Sequence, residues 1–282
     1  MLFSDNPVSK DYIKNHDERS ITKMALKGIF SKHCLATLAA GAVMAFSSGA
    51  LAGEGGHWTY EGEHGPSHWG HITKEYAACS EGKNQSPVNI TGASEAELKD
   101  LEFSYKASKL NVVNNGHTVQ ANYDAGSSIK VNGIDYQLLQ FHFHGPSEHT
   151  VADKSYPLEN HFVHKSAKGE LAVIGVLIEE GAENAAFKGI WANLPKKSGD
   201  KSTADVSYSA SDLMPKAKVY STYPGSLTTP PCSEGVTWLV LNEPIQMSKA
   251  QIEEVKAIIK DNNRPVQPIN TRKISTKAPA KK

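Results

Sequence analysis

Short apolar runs separated by turn residues dominate the chain after Leu101, and this pattern predicts a β-rich fold. The turn signals include Asn114-Asn115-Gly116 and Asn132-Gly133. One run is apolar throughout, which favours a central strand, and it covers residues 171–178. The predicted strands are residues 110–113, 117–123, 128–131, 136–144, 160–164, 171–178 and 236–241.

Helical patterns are few. The strongest covers residues 248–259, where Ser248 is a credible N-cap and Gln251 lies at the capping-box position. Residues 94–97 form a smaller helix candidate. Because helices do not alternate regularly with strands, a doubly wound parallel sheet is disfavoured.

A secretory signal peptide is predicted at residues 24–52. Lys27 and Lys32 supply its positive region, residues 35–46 its apolar run, and residues 50–52 a small-x-small cleavage pattern. The apolar run is shorter than the roughly 20 residues of a membrane span, which disfavours the alternative of an uncleaved anchor. The protein is therefore expected in the periplasm or outside the cell, without a stable membrane anchor after cleavage.

The predicted signal peptide divides the rest of the chain into a segment before it and a segment after it. Residues 1–23 are polar and precede it, so we interpret them as a misassigned start or an atypical leader. Residues 53–282 then form one mature domain without an internal repeat or a linker. Its Lys- and Pro-containing tail, residues 276–282, is expected to be disordered.

Charge balance and cysteine count limit the classes of protein to which this chain can belong. The 282 residues contain 30 Lys+Arg and 30 Asp+Glu, and this balance argues against a nucleic-acid partner. Of the three cysteines, Cys34 lies in the signal, which leaves Cys79 and Cys232 as an even pair in an exported protein. A Cys79–Cys232 disulfide is predicted, against the alternative of two free thiols.

Candidate metal chemistry centres on two of the twelve histidines, His142 and His144. Side chains on a strand alternate between faces, so these two imidazoles share a face, and His161 on a later strand is the best third ligand. Three neutral imidazoles suit Zn²⁺ and leave a fourth position for water. Spacing alone leaves packed histidines as the alternative. Gln140 and Glu159 favour the metal site over packed histidines, because each lies two residues from a candidate ligand and can accept the second N–H of that imidazole.

Two other features carry weaker signals. Residues 223–238 contain Ser226-Leu227-Thr228-Thr229 between glycine and proline residues, which indicates a rigid loop with fixed hydroxyls. An ordinary connecting loop is the alternative. His117 follows a turn signal and is suited to proton transfer near neutrality, but it also fits a surface turn histidine.

The motifs taken together resemble the α-class carbonic anhydrases, in particular the exported bacterial members. They run in order from about residue 57 to 274 and comprise His57-Trp58, Gln85-Ser86-Pro87-Val88, Asn114-Asn115-Gly116-His117, Gln140-Phe141-His142-Phe143-His144, Glu148-His149, Glu159 with His161, Ser226-Leu227-Thr228-Thr229-Pro230-Pro231 and Asn263-Arg264-Pro265. The resemblance implies a single domain around a large, twisted, mostly antiparallel sheet with short peripheral helices. It also implies one Zn²⁺ per chain, with carbon dioxide and bicarbonate as substrate and product, and a homodimer is expected.

The resemblance assigns a role to each candidate residue. His142, His144 and His161 match the zinc ligands, and Thr228 with Glu148 matches the pair that orients the zinc-bound hydroxide for attack on carbon dioxide. His117 matches the proton shuttle. The other matches are the proton-path residues Tyr60, Asn115 and Gln120 (commonly asparagine in the family), the carbon dioxide pocket Val163, Val173, Leu227, Thr229 and Trp238, the ligand-orienting residues Gln140 and Glu159, and the disulfide Cys79–Cys232.

The leading hypothesis is therefore a zinc enzyme for reversible hydration of carbon dioxide, with weak ester hydrolysis as a side reaction. One alternative is an exported protein that binds or scavenges zinc without turnover. Another is a binding or adhesion domain of the same fold. The intact ligand set counts against adhesion, and His117 counts against both alternatives, since only turnover requires a proton shuttle.

Overall fold

The computed structural model describes residues 56–277, and the predicted leader and signal peptide lie outside them. The fourteen strands within this range are β1 (Asn89–Ile90), β2 (Ser94–Ala96), β3 (Glu102–Ser104), β4 (Ser108–Asn114), β5 (Val119–Asn122), β6 (Ser128–Val131), β7 (Ile134–His144), β8 (Thr150–Val151), β9 (Leu158–Ser166), β10 (Leu171–Glu180), β11 (Lys201–Tyr208), β12 (Tyr220–Ser226), β13 (Glu234–Met247) and β14 (Ser275–Lys277). The α-helices are α1 (Trp69–Ile72), α2 (Ala78–Glu81), α3 (Lys188–Trp191) and α4 (Lys249–Ile259). Single 3₁₀ turns are found at Gly62–His64, Lys74–Tyr76, Ala185–Phe187 and Ala210–Leu213.

Twelve of these strands form one twisted sheet, and β1 pairs with β8 separately. The main path of the sheet runs β11-β4-β5-β7-β9-β10-β13-β12-β14-β2, with β6 joining β7 to β3. Its pairs are antiparallel except β10 with β13 and β14 with β2. The predicted mainly-β architecture with a large, mostly antiparallel sheet and short helices is confirmed.

Apolar side chains cover the two faces of the sheet unequally. A large core contains Phe141, Phe143 and Phe162 together with Ile252 and Val255 of α4. A smaller core gathers around Trp238 on β13. Strand β10 is buried over most of its length, as expected for a central strand, and its neighbours β9 and β13 hold it in the middle of the sheet.

Helix α4 begins as its sequence predicts. The Ser248 side chain accepts a hydrogen bond from the Gln251 backbone N–H, and the Gln251 side chain accepts one from the Ser248 backbone N–H. Ile252, Val255 and Ile259 form its buried face. The capping box fixes the start of the helix that packs behind the sheet.

Two expectations near the sheet edge are wrong. Residues 94–97 do not form a helix, because Ser94–Ala96 is strand β2 and pairs in parallel with β14. A helix this short gains little from local propensity, so the pairing decides its structure. The tail is not disordered from Thr276, because Thr276 and Lys277 belong to β14. Residues 278–282 of the expected tail lie outside the described range.

Within residues 56–277 we find no helix with both the length and the apolar character needed to span a membrane.

One buried histidine makes the stability of the fold depend on pH. His164 lies on β9, and its side chain faces away from that of His161, as its odd spacing predicts. Its Nε2 lies 2.7 Å from the Tyr105 hydroxyl, and the two rings stack. Burial lowers the pKa of His164 from 6.5 to about 3. The unfolded chain therefore binds a proton between these pH values that the folded protein excludes.

We expect His164 to make the protein less stable as the pH falls from 6.5 towards 3, by up to about 1.4 kcal/mol for each pH unit. Urea unfolding of wild type should show this slope, and the double variant His164→Phe with Tyr105→Phe should show a smaller one. The second substitution prevents an unpaired hydroxyl in the core. Equal slopes in both proteins would refute the assignment.

Candidate active site

Strands β7 and β9 bring the three predicted ligands together. His142 lies directly opposite His161 in the antiparallel pairing, and His144 follows two residues later on the same face of β7. One ligand nitrogen from each of the three imidazoles lies within 4.8 Å of the others. The strand alternation that predicted a shared face is therefore present in the structure.

Two of the imidazoles are hydrogen-bonded to a protein acceptor, and the third lies close to one. His142 Nδ1 lies 2.9 Å from Gln140 Oε1, and His144 Nδ1 donates to the Asn262 carbonyl at 2.7 Å. In contrast, His161 approaches Glu159 Oε1 through Nε2, at 3.0 Å. The opposite nitrogen of each ring is left for a shared ligand.

This donor set fits a zinc ion. His144 Nε2 is buried and has no hydrogen-bond partner within residues 56–277, although an unpaired buried nitrogen is unfavourable. Burial lowers the pKa of His142 well below 6.5, lowers that of His144 to about 4, and lowers that of His161. Neutral imidazoles are the form that coordinates a metal.

The Glu159 carboxylate has several hydrogen-bond partners besides its contact with His161. Its Oε1 accepts from His149 Nδ1 at 2.7 Å, and its Oε2 accepts the backbone N–H groups of Glu148 and His149 at 3.0 and 2.8 Å. Burial raises the pKa of Glu159, but His149 and His161 outweigh it and hold the pKa well below its usual value. His149 Nε2 continues the network to the Tyr223 hydroxyl at 2.6 Å. Glu159, His149 and Tyr223 therefore form one hydrogen-bonded network beside His161.

Glu148 and Thr228 lie together beside the ligands. Glu148 Oε1 accepts the Arg264 backbone N–H at 2.8 Å, while its Oε2 lacks a hydrogen-bond partner in the described part of the chain and lies 3.8 Å from His161 Nδ1. Burial raises the pKa of Glu148 to about 7 against opposing effects that include His161 and the Thr228 hydroxyl. The carboxyl thus lies beside Thr228, His144 and His161.

A cavity opens from the ligands towards the N-terminal arm. The predicted shuttle His117 lies at its wall with its ring stacked on Trp58, at a centroid distance of 3.7 Å and an angle of 7°. Burial and the nearby His57 lower the pKa of His117. The other lining residues are Tyr60, Asn115, Thr118, Gln120, Gln140, His142, His144 and Thr229.

The turn before β5 sets the position of His117. Asn115 Oδ1 accepts the backbone N–H groups of His117 and Thr118, both at 2.9 Å, so these residues belong to the turn. The predicted strand 117–123 therefore begins two residues late, at Val119. Gln120 on β5 donates to Asn122 at 2.8 Å, which directs its amide along the cavity wall.

The predicted pocket residues form an apolar wall next to His161. Val173 is paired with Val163 on one side and with Trp238 on the other, and Leu227 packs against the same cluster. The Trp238 ring lies 4.8 Å from that of His161. Of the five predicted pocket residues, Thr229 lines the cavity, and the other four belong to this apolar cluster beside His161.

Comparison with known proteins agrees with this geometry. The family model for eukaryotic-type carbonic anhydrase matches residues 64–278. A carbonic anhydrase from Klebsiella pneumoniae is 43% identical over 239 residues, covering 84% of this chain and 97% of the relative. One from Neisseria gonorrhoeae is 45% identical over 233 residues, covering 82% of this chain and 92% of that protein. The chain belongs to the α-class carbonic anhydrase family.

A solved structure leads to the same family. The α-carbonic anhydrase from Thermovibrio ammonificans, in complex with the inhibitor sulfanilamide, aligns with a TM-score of 0.77 at 44% identity, covering 78% of this chain and 99% of that one. The family resemblance, the fold and the assignment as a carbonic anhydrase enzyme are therefore confirmed.

The predicted disulfide of this carbonic anhydrase is present between Cys79 and Cys232. Arg264, which is 1% exposed, donates to the Cys79 carbonyl and to Gln85 Oε1, each at 2.8 Å. Gln85 in turn donates to the Cys232 carbonyl at 3.0 Å, and the Cys232 N–H donates to the Thr229 carbonyl at 2.9 Å. The disulfide, Arg264 and the hydroxyl loop therefore form one connected region of the enzyme.

Three residues of the site were missed in the sequence. Asn262 acts on His144 through its main-chain carbonyl, and Arg264 acts on Glu148 through its main-chain N–H. Main-chain groups leave no side-chain signature, so no pattern could identify them. His149 stands in a motif of the family resemblance without an assigned role, and its contact with Glu159 is visible only in the fold.

Replacing both Cys79 and Cys232 with serine should lower the unfolding free energy of the carbonic anhydrase, by at most about 5 kcal/mol in the chain-entropy treatment. The reason is the long segment that the disulfide closes, with a sequence separation of 153. Denaturant unfolding of the oxidised protein and the double variant measures the difference. Reductant should destabilise wild type and leave the variant unchanged. Equal midpoints for the oxidised protein and the variant would contradict the prediction.

Proposed function

We propose that this protein is a zinc-dependent enzyme that hydrates carbon dioxide reversibly to bicarbonate and a proton. The observation that carries the proposal is the convergence of three neutral, oriented imidazoles on one buried point. His142 and His144 would bind Zn²⁺ through Nε2 and His161 through Nδ1. Bound zinc supplies Lewis acidity that lowers the pKa of a water molecule, a property for which carbonic anhydrases are the usual example.

Glu148 and Thr228 would orient the attacking oxygen. A Thr228 hydroxyl that donates to Glu148 has only acceptor capacity left on its oxygen. The attacking oxygen must then donate its own hydrogen to Thr228 and direct a lone pair towards the substrate. The unpaired Glu148 Oε2 supports this arrangement, since it faces the space where the threonine hydroxyl lies.

The apolar wall would hold carbon dioxide. Val163, Val173, Leu227 and Trp238 offer no strong hydrogen-bonding group to the cavity, so a small substrate without a net dipole is favoured there over water. Thr229 and the amides on the opposite side would receive the polar product. The same site would hydrolyse some esters weakly, because their carbonyl carbon is also open to attack.

His117 would carry the proton to solvent. It lines the same cavity as His142 and His144, with Tyr60, Asn115 and Gln120 providing a polar path for water. An imidazole can accept a proton on a ring nitrogen and later release it. The stacking on Trp58 supports a role at the mouth of the cavity.

Export to the periplasm or beyond the cell is part of the proposal. It is supported by the signal-peptide pattern and by the Cys79–Cys232 disulfide, which is typical of oxidising compartments. The homodimer stays a prediction.

Carbon dioxide hydration by the purified protein, followed with a pH-indicator dye, should require zinc. Wild type should bind one zinc per chain and lose hydration after chelation, whereas His144→Ala should lack both zinc and hydration because one ligand is gone. His71→Ala, which removes an exposed histidine, is the matched control and should retain both. Full activity with stoichiometric zinc in His144→Ala would refute the ligand assignment. Stoichiometric zinc in wild type without hydration would instead favour a zinc-binding protein.

Replacing His117 with alanine should slow turnover in dilute buffer by on the order of 10- to 100-fold, because proton transfer loses its acceptor. Added imidazole should restore most of the rate, and the value of kcat/KM should change little. Stopped-flow hydration at several buffer concentrations measures both quantities. A rate that is independent of this substitution would show that another route carries the proton.

A further inference from the structure

Asn262 lies between the turn that carries His117 and the end of β7. It follows α4 in the chain and is 1% exposed. Its Nδ2 donates to the carbonyl groups of His117 and Phe143 at 3.0 and 2.9 Å, and its Oδ1 accepts the Gly145 N–H at 2.8 Å. One carboxamide therefore fixes the turn and the metal-binding strand to each other.

The backbone of His117 is held at both ends. Its N–H donates to Asn115, which belongs to the same turn, so this bond cannot set where the turn lies in the molecule. Its carbonyl is bound by Asn262, which reaches another element. Thr118 Oγ1 also donates to the Phe143 carbonyl, at 2.6 Å, but it acts on the residue after His117.

The turn that carries His117 contains a glycine in a left-handed conformation. Gly116, immediately before His117, has a φ of +91°, which glycine adopts without strain. If the Asn262 amide is lost, the His117 carbonyl and the Gly145 N–H lose this hydrogen-bond partner, while the Phe143 carbonyl keeps Thr118 Oγ1, and the turn can shift to recover hydrogen bonds. Proton transfer depends steeply on the position of the groups involved.

We propose that the Asn262 side chain is a positioning residue for proton transfer, because it fixes the His117 turn against the strand that carries His142 and His144. The inference rests on the proposed role of His117 as the proton acceptor. The contact from Asn262 to His144 is made by its main-chain carbonyl, so the two actions of this residue are separable by mutation.

The most direct variant is Asn262→Asp, which is almost isosteric. It retains an oxygen for the Gly145 N–H but replaces the group that donates to His117 and Phe143. Asn262→Ser is the second variant in case the carboxylate prevents folding. Asn193→Asp is the matched control, because the Asn193 amide donates to the Gly189 carbonyl at 2.8 Å and contacts none of the site residues named above.

In dilute buffer, the Asn262 variants should lower kcat by about 10-fold and leave kcat/KM for carbon dioxide largely unchanged. Imidazole should restore kcat. In a His117→Ala background the Asn262 substitution should add no further loss. Zinc affinity, measured by chelator competition, should be retained, because the main-chain carbonyl still orients His144.

A second readout does not depend on zinc or turnover. NMR of histidine-labelled, zinc-free protein should show the His117 ring signals displaced by the ring current of Trp58, and the Asn262 variants should lose this displacement while Asn193→Asp keeps it. An unchanged His117 signal in the variants, or a further loss of kcat in the His117→Ala background, would overturn the proposal. If His117→Ala alone leaves turnover unchanged, the proposed proton route has failed, whatever the role of Asn262. If the Asn262 variants in that case also keep the displaced His117 ring signals, Asn262 does not position His117 either.

Discussion

The pairing of β7 with β9 determines the active site, because it places His142 opposite His161. The same pairing places Phe141 opposite Phe162 on the other face, where both rings are buried in the large core. A slip of one residue would exchange the faces, so phenylalanine rings would enter the polar site and imidazoles the core. Hydrophobic burial on one face therefore enforces the metal-binding geometry on the other.

A β-bulge makes this arrangement possible. The register of β7 shifts between Leu138 and Gln140, which leaves Leu139 between paired positions and 43% exposed. Without the shift, strand alternation would place Leu138 on the same face as Gln140 and His142. With it, Leu138 joins Phe141 in the core, and the ligands face the cavity. The bulge thus lets β7 contribute to the core from Tyr136 to Phe143 while its last residues supply the site.

The sequence predicted those parts of the molecule that depend on alternation and on local caps. The shared face of His142 and His144 and the start of α4 at Ser248 follow from short-range rules, and His161, the predicted third imidazole, lies opposite His142. The bulge at Leu139 could not be predicted, because no glycine or proline marks it and the partner strand decides it. The strand at residues 94–96 was missed for a similar reason, since its partner β14 lies near the other end of the chain.

The groups that contact the three imidazoles come from three segments of the chain, and this has a consequence for how the site forms. Gln140 and Glu159 each lie on the same strand as the imidazole they contact, whereas Asn262 lies beyond α4. Burying Glu159 is costly, and the cost is offset only when His149, His161 and two backbone N–H groups are all in place. The imidazoles are therefore ordered by the completed fold. A metal would then meet neutral donors that are already oriented, so the entropy lost in fixing three side chains would belong to folding and would not weaken binding.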